Sequence, residues 1–189
     1  MTPYEIRGEG ALQRALVRLD RAGWSLGGAF LWLSNLCLLA MLGLTTATIL
    51  LRPLGMAPFW MWPWTMVFFI WLSFFGFFAL YARLKDVRVD FLAERMGPKG
   101  MAATRLVSDL ATLLVTGVIL SQAPTVIETS RGVFDGAVLP QGFELPRLAL
   151  SVPLMVSAAL VAATAALDVA KMAAGLPENR SDHHPEAGD

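Results

Sequence analysis

The chain has 189 residues, of which 56% are hydrophobic and 16% charged, and its formal net charge is zero. Soluble domains usually have about one quarter charged residues, so this composition and the mean hydropathy of +0.57 indicate an integral membrane protein. Because its net charge is zero, the chain has no excess of Lys and Arg that could bind a phosphate backbone, so we expect no nucleic-acid partner. The single cysteine, Cys37, excludes an internal disulfide and a cysteine-based metal site.

The first predicted element is a basic amphipathic helix within an N-terminal cytoplasmic segment, residues 1–23. Its two faces differ in character, with Leu12, Ala15, Leu16 and Leu19 on one and Arg14, Arg18 and Arg21 on the other. A helix of this kind binds an anionic inner leaflet, so we predict that it anchors the chain to the membrane. Binding of a partner protein is the alternative.

Four stretches are apolar over the roughly 20 helical residues that cross a bilayer. They lie at residues 24–51, 59–81, 106–127 and 148–167. The first far exceeds the apolar core of about 7 to 15 residues in a cleaved signal peptide, so we expect it to remain as a helix. Aromatic residues gather where the second begins, as they do at a headgroup boundary: Phe59, Trp60, Trp62 and Trp64.

Lys and Arg side chains are distributed unequally between the two sides of this plan. Twelve lie in the N-terminal segment, the loop between spans two and three, and the tail, and only three lie on the opposite side: Arg52, Arg131 and Arg147. By the positive-inside rule, both termini and the central loop are cytoplasmic.

The central loop contains a second predicted amphipathic helix, at about residues 87–96. One apolar stripe follows helical spacing, and it consists of Val89, Leu92, Ala93 and Met96. Charged residues point elsewhere, and the sequence Gly-Pro-Lys-Gly ends the helix. We predict that this helix lies flat in the inner interface with its stripe toward the acyl chains. A solvated loop is the alternative.

No span has an ionisable residue at its centre, where such a residue would be a functional candidate. Charges at the span ends stand three or four residues from an opposite charge: Asp109 with Arg105, Glu128 with Arg131, Glu144 with Arg147, and Asp168 with Lys171. We interpret these as paired boundary charges; a proton or ion relay through Asp109 is the alternative. Without histidine in a span or cysteine pairs, we expect no enzyme, cofactor or metal centre.

Uncharged polar residues also occur in the spans, namely Asn35 in the first and Ser108, Thr112 and Thr116 in the third. Such residues more often join helices than bind a substrate. The fourth span has small residues at three- and four-residue spacing, which permits close approach of another helix. The tail, residues 171–189, has no apolar period in its final part and is expected to be disordered, and adventitious metal binding by His183 and His184 is a minor alternative.

The predicted fold is therefore all-α, with four transmembrane helices in residues 24–170, amphipathic interfacial helices and cytoplasmic termini. Such a chain, with no visible active site or ion path, fits an accessory or scaffold subunit. A self-sufficient small transporter or channel, built as an oligomer, is the alternative function.

Residues 68–96, FFIWLSFFGFFALYARLKDVRVDFLAERM, resemble the signature region of the small DctQ-type membrane subunit of tripartite ATP-independent periplasmic (TRAP) transporters. The matching positions are Trp71, Gly76, Arg83, Val87, Arg88, Val89 and Asp90. Lys85 and Asp86 depart from the family, which often has Glu-His there. The turn into the last span, with Leu145, Pro146 and Pro153, agrees as well.

This resemblance implies a function and partners. Family members pair with a large multi-spanning permease subunit, which carries the substrate and sodium sites, and a periplasmic binding protein delivers an organic acid. The small subunit is similar to a stator that enlarges the fixed scaffold. The resemblance thus implies a multi-pass protein of the bacterial inner membrane, in contact with the lipid bilayer and these two proteins.

Overall fold

The computed structural model describes residues 3–4, 6–8, 10–56, 58–83, 97–138, 142–177 and 179. The helices are α1 (Ala11–Leu51), α2 (Met61–Arg83), α3 (Gly97–Ser121), α4 (Ala123–Thr129) and α5 (Leu148–Ala173), and the strands are β1 (Val133–Val138) and β2 (Glu144–Pro146). Helices α1, α2 and α5 are long and apolar enough to cross a membrane, and so is Ala102–Thr129, which contains most of α3 and all of α4. The prediction of a four-span helical membrane protein is confirmed. The predicted central helix at 87–96 lies outside the described residues.

Helix α1 is continuous across the boundary that the sequence placed after residue 23. It begins after Gly10, whose N–H donates to the side chain of Gln13, and it is followed by a 3₁₀ turn that ends at the left-handed Gly55 (φ 67°). At 1.5 Å per residue its 41 residues extend about 60 Å, about twice the thickness of the hydrocarbon core. Part of α1 therefore lies beyond that core, or the helix crosses it at a steep tilt.

The long helices form an open row in the order α1, α2, α5, α3. Helix α2 packs against α1 and α5, and α5 packs against α3. Helix α1 also meets α5, but among the described residues it makes no contact with α3. Helices α1 and α3 therefore stand at the two ends of the row. Along the helix axes, we call one side of the row the termini end, where α1 begins and α5 finishes, and the other side the hairpin end, where β1 and β2 lie.

The contact between α1 and α2 depends on small residues and on aromatic edges. A methyl group added at Gly27 of α1 would come within 2.9 Å of the Ala82 methyl of α2, so the two backbones can approach only because Gly27 has no side chain. Further along the pair, the Phe30 ring meets the rings of Phe75 and Phe78 edge to face, with centroids 5.4 and 5.0 Å away.

The β-hairpin was not among the predicted elements. Its strands are antiparallel, and it covers the first part of α2, where Val67, Ala137 and Leu145 form a buried cluster. Gly136 has a φ of 84°, and a Cβ at this position would stand 2.9 Å from the ring of Pro63. Both the backbone conformation and the close approach require glycine there.

Residues from both termini pack together at the termini end. Ile6 and Leu176 are buried against Val17 of α1. Arg21, predicted to face the lipid headgroups, donates instead to the carbonyl oxygens of Pro3, Tyr4 and Ile6.

The structure differs from the sequence prediction for the start of the tail. Helix α5 runs to Ala173, so the predicted boundary at residue 171 falls inside it, and Leu176 and Asn179 are both buried. The tail has no apolar period of its own, but these two residues are ordered by contacts with distant parts of the chain.

Candidate functional site

Trp71 connects the middle of α2 to the start of α5. Its indole N–H donates to the carbonyl oxygen of Ala149, 2.9 Å away. In a regular helix that carbonyl accepts from the N–H four residues later, but this residue is Pro153, which has no N–H. The indole thus replaces the hydrogen bond that the proline removes.

Gly76 marks a second crossing, between α2 and α1. A Cβ at Gly76 would lie 3.1 Å from the hydroxyl of Ser34, which leaves that hydroxyl room beside α2. Ser34 uses this room to donate to the carbonyl oxygen of Leu72, at 3.1 Å. A corresponding bond joins α5 to α2, where the Ser157 hydroxyl donates to the carbonyl of Phe74 at 2.7 Å. Helix α2 is therefore hydrogen-bonded to both of its neighbours.

Arg83, the last residue of α2, lies across α1. Its guanidinium carbon is 5.4 Å from the centre of the Trp24 ring, a cation–π contact. A Cβ at Gly28 would come within 3.0 Å of the same guanidinium, and one at Gly27 within 3.4 Å of the aliphatic stem. Because Gly27 and Gly28 have no side chains, the surface of α1 has room for the Arg83 side chain.

The candidate motif and stripe residues that follow Arg83 lie outside the described part of the chain. They are the motif positions Arg88 and Asp90 and the stripe Val89, Leu92, Ala93 and Met96. The interfacial helix remains a prediction.

The structure has a buried polar cluster at the termini end that the sequence did not predict. The Lys171 ammonium lies 2.7 Å from the carboxylate of Asp20 and donates to the side-chain oxygen of Asn179 at 3.2 Å. The Asn179 amide in turn donates to both Asp20 oxygens, at 2.8 and 2.9 Å. The side chains of Lys171 and Asp20 are 0% and 5% exposed, so this is a buried ion pair, and Asn179 hydrogen-bonds to both of its members.

This cluster changes the pairing that was predicted for Lys171. The sequence placed its partner three residues away at Asp168, whereas the ammonium is bound to Asp20 of α1. A signal was present in the sequence: Asp20 stands four residues before the aromatic start of the first predicted span, among three arginines. Local spacing could not show that its partner lies 151 residues later.

Arg147 likewise has contacts that the local spacing did not predict. Its Nε donates to the carbonyl oxygen of Val133 at 2.9 Å, and its guanidinium lies 3.6 Å from Asp135. The side chains of Arg147 and Asp135 are 50% and 91% exposed, so this ion pair adds little stability. The arginine instead fixes the position of β1 beside the start of α5.

Two carboxylates are buried near the termini end of the row. Asp109 of α3 and Asp168 of α5 are each 1% exposed, and both have polar interactions within the protein. Within the described ranges, no group of three His, Cys, Asp or Glu side chains is placed to hold a metal ion. What the described geometry offers is a set of helix-to-helix bonds made by Trp71, Ser34, Ser157 and Lys171.

The chain matches a known protein family. The family described as tripartite ATP-independent periplasmic transporters, DctQ component, matches residues 41–175. Searches among curated proteins and among solved structures find no match to the chain.

Proposed function

Since the chain belongs to the DctQ family, the small permease component of TRAP transporters in the inner membrane, we propose that it is a rigid scaffold for the large permease subunit. In TRAP systems this family functions with such a large permease and with a periplasmic binding protein. In our proposal the complex takes up an organic acid, driven by sodium, and the small subunit itself does not move the substrate.

The observation that carries the scaffold proposal is the position of the family-motif residues. Trp71, Gly76 and Arg83 all stand at contacts between helices, where they hold α2 to α5 and α1. A scaffold needs this kind of cross-linking, because each interhelical bond made away from water resists separation of the helices.

The charges of the described residues agree with this proposal. The buried ionisable side chains, Asp20, Asp109, Asp168 and Lys171, lie toward the termini end. The central parts of the spans contain no Asp, Glu, His, Lys or Arg side chain. A transporter that couples flux to sodium or protons by itself would be expected to place such a group along its path.

The test is reconstitution in liposomes with a sodium gradient. We expect this chain alone to give no uptake of a radiolabelled organic acid, and we expect sodium-dependent uptake when the large subunit and the loaded binding protein are added. Ion-driven flux by the chain alone, abolished by Asp109→Asn, would instead identify a self-sufficient transporter with Asp109 as its coupling residue. Asp135→Asn, at an exposed carboxylate outside the spans, is the matched control.

A further inference from the structure

Asn35 lies near the middle of the first predicted span and on the exposed surface of α1. Within the described part of the chain its amide makes no hydrogen bond, whereas its neighbour Ser34 bonds to α2. An amide has two donor hydrogens and an acceptor oxygen, and lipid tails can satisfy none of them. At this depth an amide directed at lipid is unfavourable, so it indicates a partner that can form hydrogen bonds.

Two hydroxyl groups further along α1, those of Thr45 and Thr48, are satisfied within the protein. Thr45 and Thr48 donate to the carbonyl oxygens of Met41 and Leu44 in the preceding turn, both at 2.8 Å. Thr46 is exposed and, like Asn35, makes no side-chain hydrogen bond to any residue that the structure describes. Two polar side chains on the exposed surface of α1 therefore have no hydrogen-bond partner among the described residues.

These two residues share one face of α1. At about 100° per residue, Thr46 stands about 20° from Asn35 around the helix axis, and Leu39 and Leu42 lie within about 40° of it. Both leucines are more than half exposed, at 66% and 51%. We call Asn35, Leu39, Leu42 and Thr46 the outer α1 face.

We propose that the outer α1 face binds a transmembrane helix of the large permease subunit, and that this helix presents a hydrogen-bonding group opposite Asn35. The inference rests on the proposed scaffold function and adds where the large subunit docks. Helix α1 stands at one end of the open row, beside α2, so a helix seated here extends the row without displacing a described contact. Its polar group would complement the Asn35 amide, as hydrogen bonds do between membrane helices.

The first test uses photo-crosslinking in membranes that contain the complete complex. A benzophenone side chain is placed at Leu42, on the outer α1 face, or at Leu36, which is similarly exposed (47% against 51%) but about 120° away around the helix. We expect Leu42 to crosslink to the large subunit and Leu36 to do so at least several-fold less. Crosslinks from Leu42 to a second copy of this chain, or to lipid alone, would overturn the proposal.

The second test measures affinity between the two purified membrane subunits in detergent. Asn35→Leu should weaken binding by about 3- to 30-fold, the effect of losing one interhelical hydrogen bond, whereas Asn35→Gln, which keeps an amide, should recover part of that loss. Leu36→Ala is the control and should bind like the wild type. Wild-type binding by Asn35→Leu would overturn the docking face but leave the scaffold function intact, whereas failure of the wild-type subunits to associate would overturn the scaffold function itself.

Discussion

The ammonium of Lys171 lies 2.7 Å from the carboxylate of Asp20, so the last turn of α5 is bound directly to α1. The bond closes the termini end of the row, where α1 and α5 meet with Asn179 between them. Because both charges are buried, each depends on the other for solvation that water would otherwise provide.

Replacement of Lys171 alone should therefore be costly. Lys171→Met leaves the Asp20 carboxylate buried without its cation, and we expect a loss of about 3–5 kcal/mol in the free energy of unfolding. The double variant Asp20→Leu, Lys171→Met should recover part of this loss. Denaturant titration of the purified subunit measures both effects, and Arg18→Gln, at an exposed position on the same part of α1, is the control. Equal stability of Lys171→Met and wild type would contradict the buried pair.

The bond from Trp71 to the Ala149 carbonyl should depend on Pro153. In the wild type, Trp71→Phe leaves that carbonyl without a donor, and we expect a cost of about 1–3 kcal/mol. In a Pro153→Ala background the new N–H of residue 153 can satisfy Ala149, so Trp71→Phe should cost clearly less there. A double-mutant cycle of unfolding free energies tests this coupling. Strictly additive effects would show that the indole does not replace the missing helix bond.

Glycines on α1 should respond differently to the same substitution. Gly27→Ala forces its methyl group to within 2.9 Å of Ala82, whereas Gly43→Ala meets nothing within 4 Å. We expect Gly43→Ala to be neutral or to raise the thermal midpoint through helix propensity, and we expect Gly27→Ala to lower it. The free energies of unfolding of the two variants should differ by about 1–3 kcal/mol. Midpoints in the reverse order would mean that α1 and α2 are not in close contact at Gly27.

The Lys and Arg distribution predicts that both termini of the chain are cytoplasmic. In a variant without Cys37, cysteine placed at Phe143, an exposed position at the hairpin end, should react with an impermeant thiol reagent added to intact spheroplasts. Cysteine at Ala103, an exposed position near the start of α3, should react only after permeabilisation. The opposite labelling pattern would invert the topology.

Much of the helical plan could be predicted from the sequence, because apolar runs of span length report directly on what a bilayer requires. The continuity of α1 was not evident, because the change from basic to apolar residues near Trp24 alters the surroundings of a helix without breaking it. The partner of Lys171 was also missed, because spacing reports on pairs within one helix, whereas Asp20 belongs to another helix. For Trp71 and Pro153, the sequence and its family resemblance identified both positions but not the hydrogen bond that connects them.

The central claim is that this subunit is a rigid scaffold, and a distance measurement in the working complex tests it most directly. In a variant without Cys37, spin labels at Leu54, beyond α1, and at Gln122, beyond α3, report on the two ends of the helix row, since both positions are exposed. The labelled complex must first show sodium-dependent uptake. We then predict that adding sodium and the loaded binding protein shifts the distance by less than about 2 Å, the scale of small helix adjustments. A shift well beyond that range would show that the row moves during transport and would contradict the scaffold account.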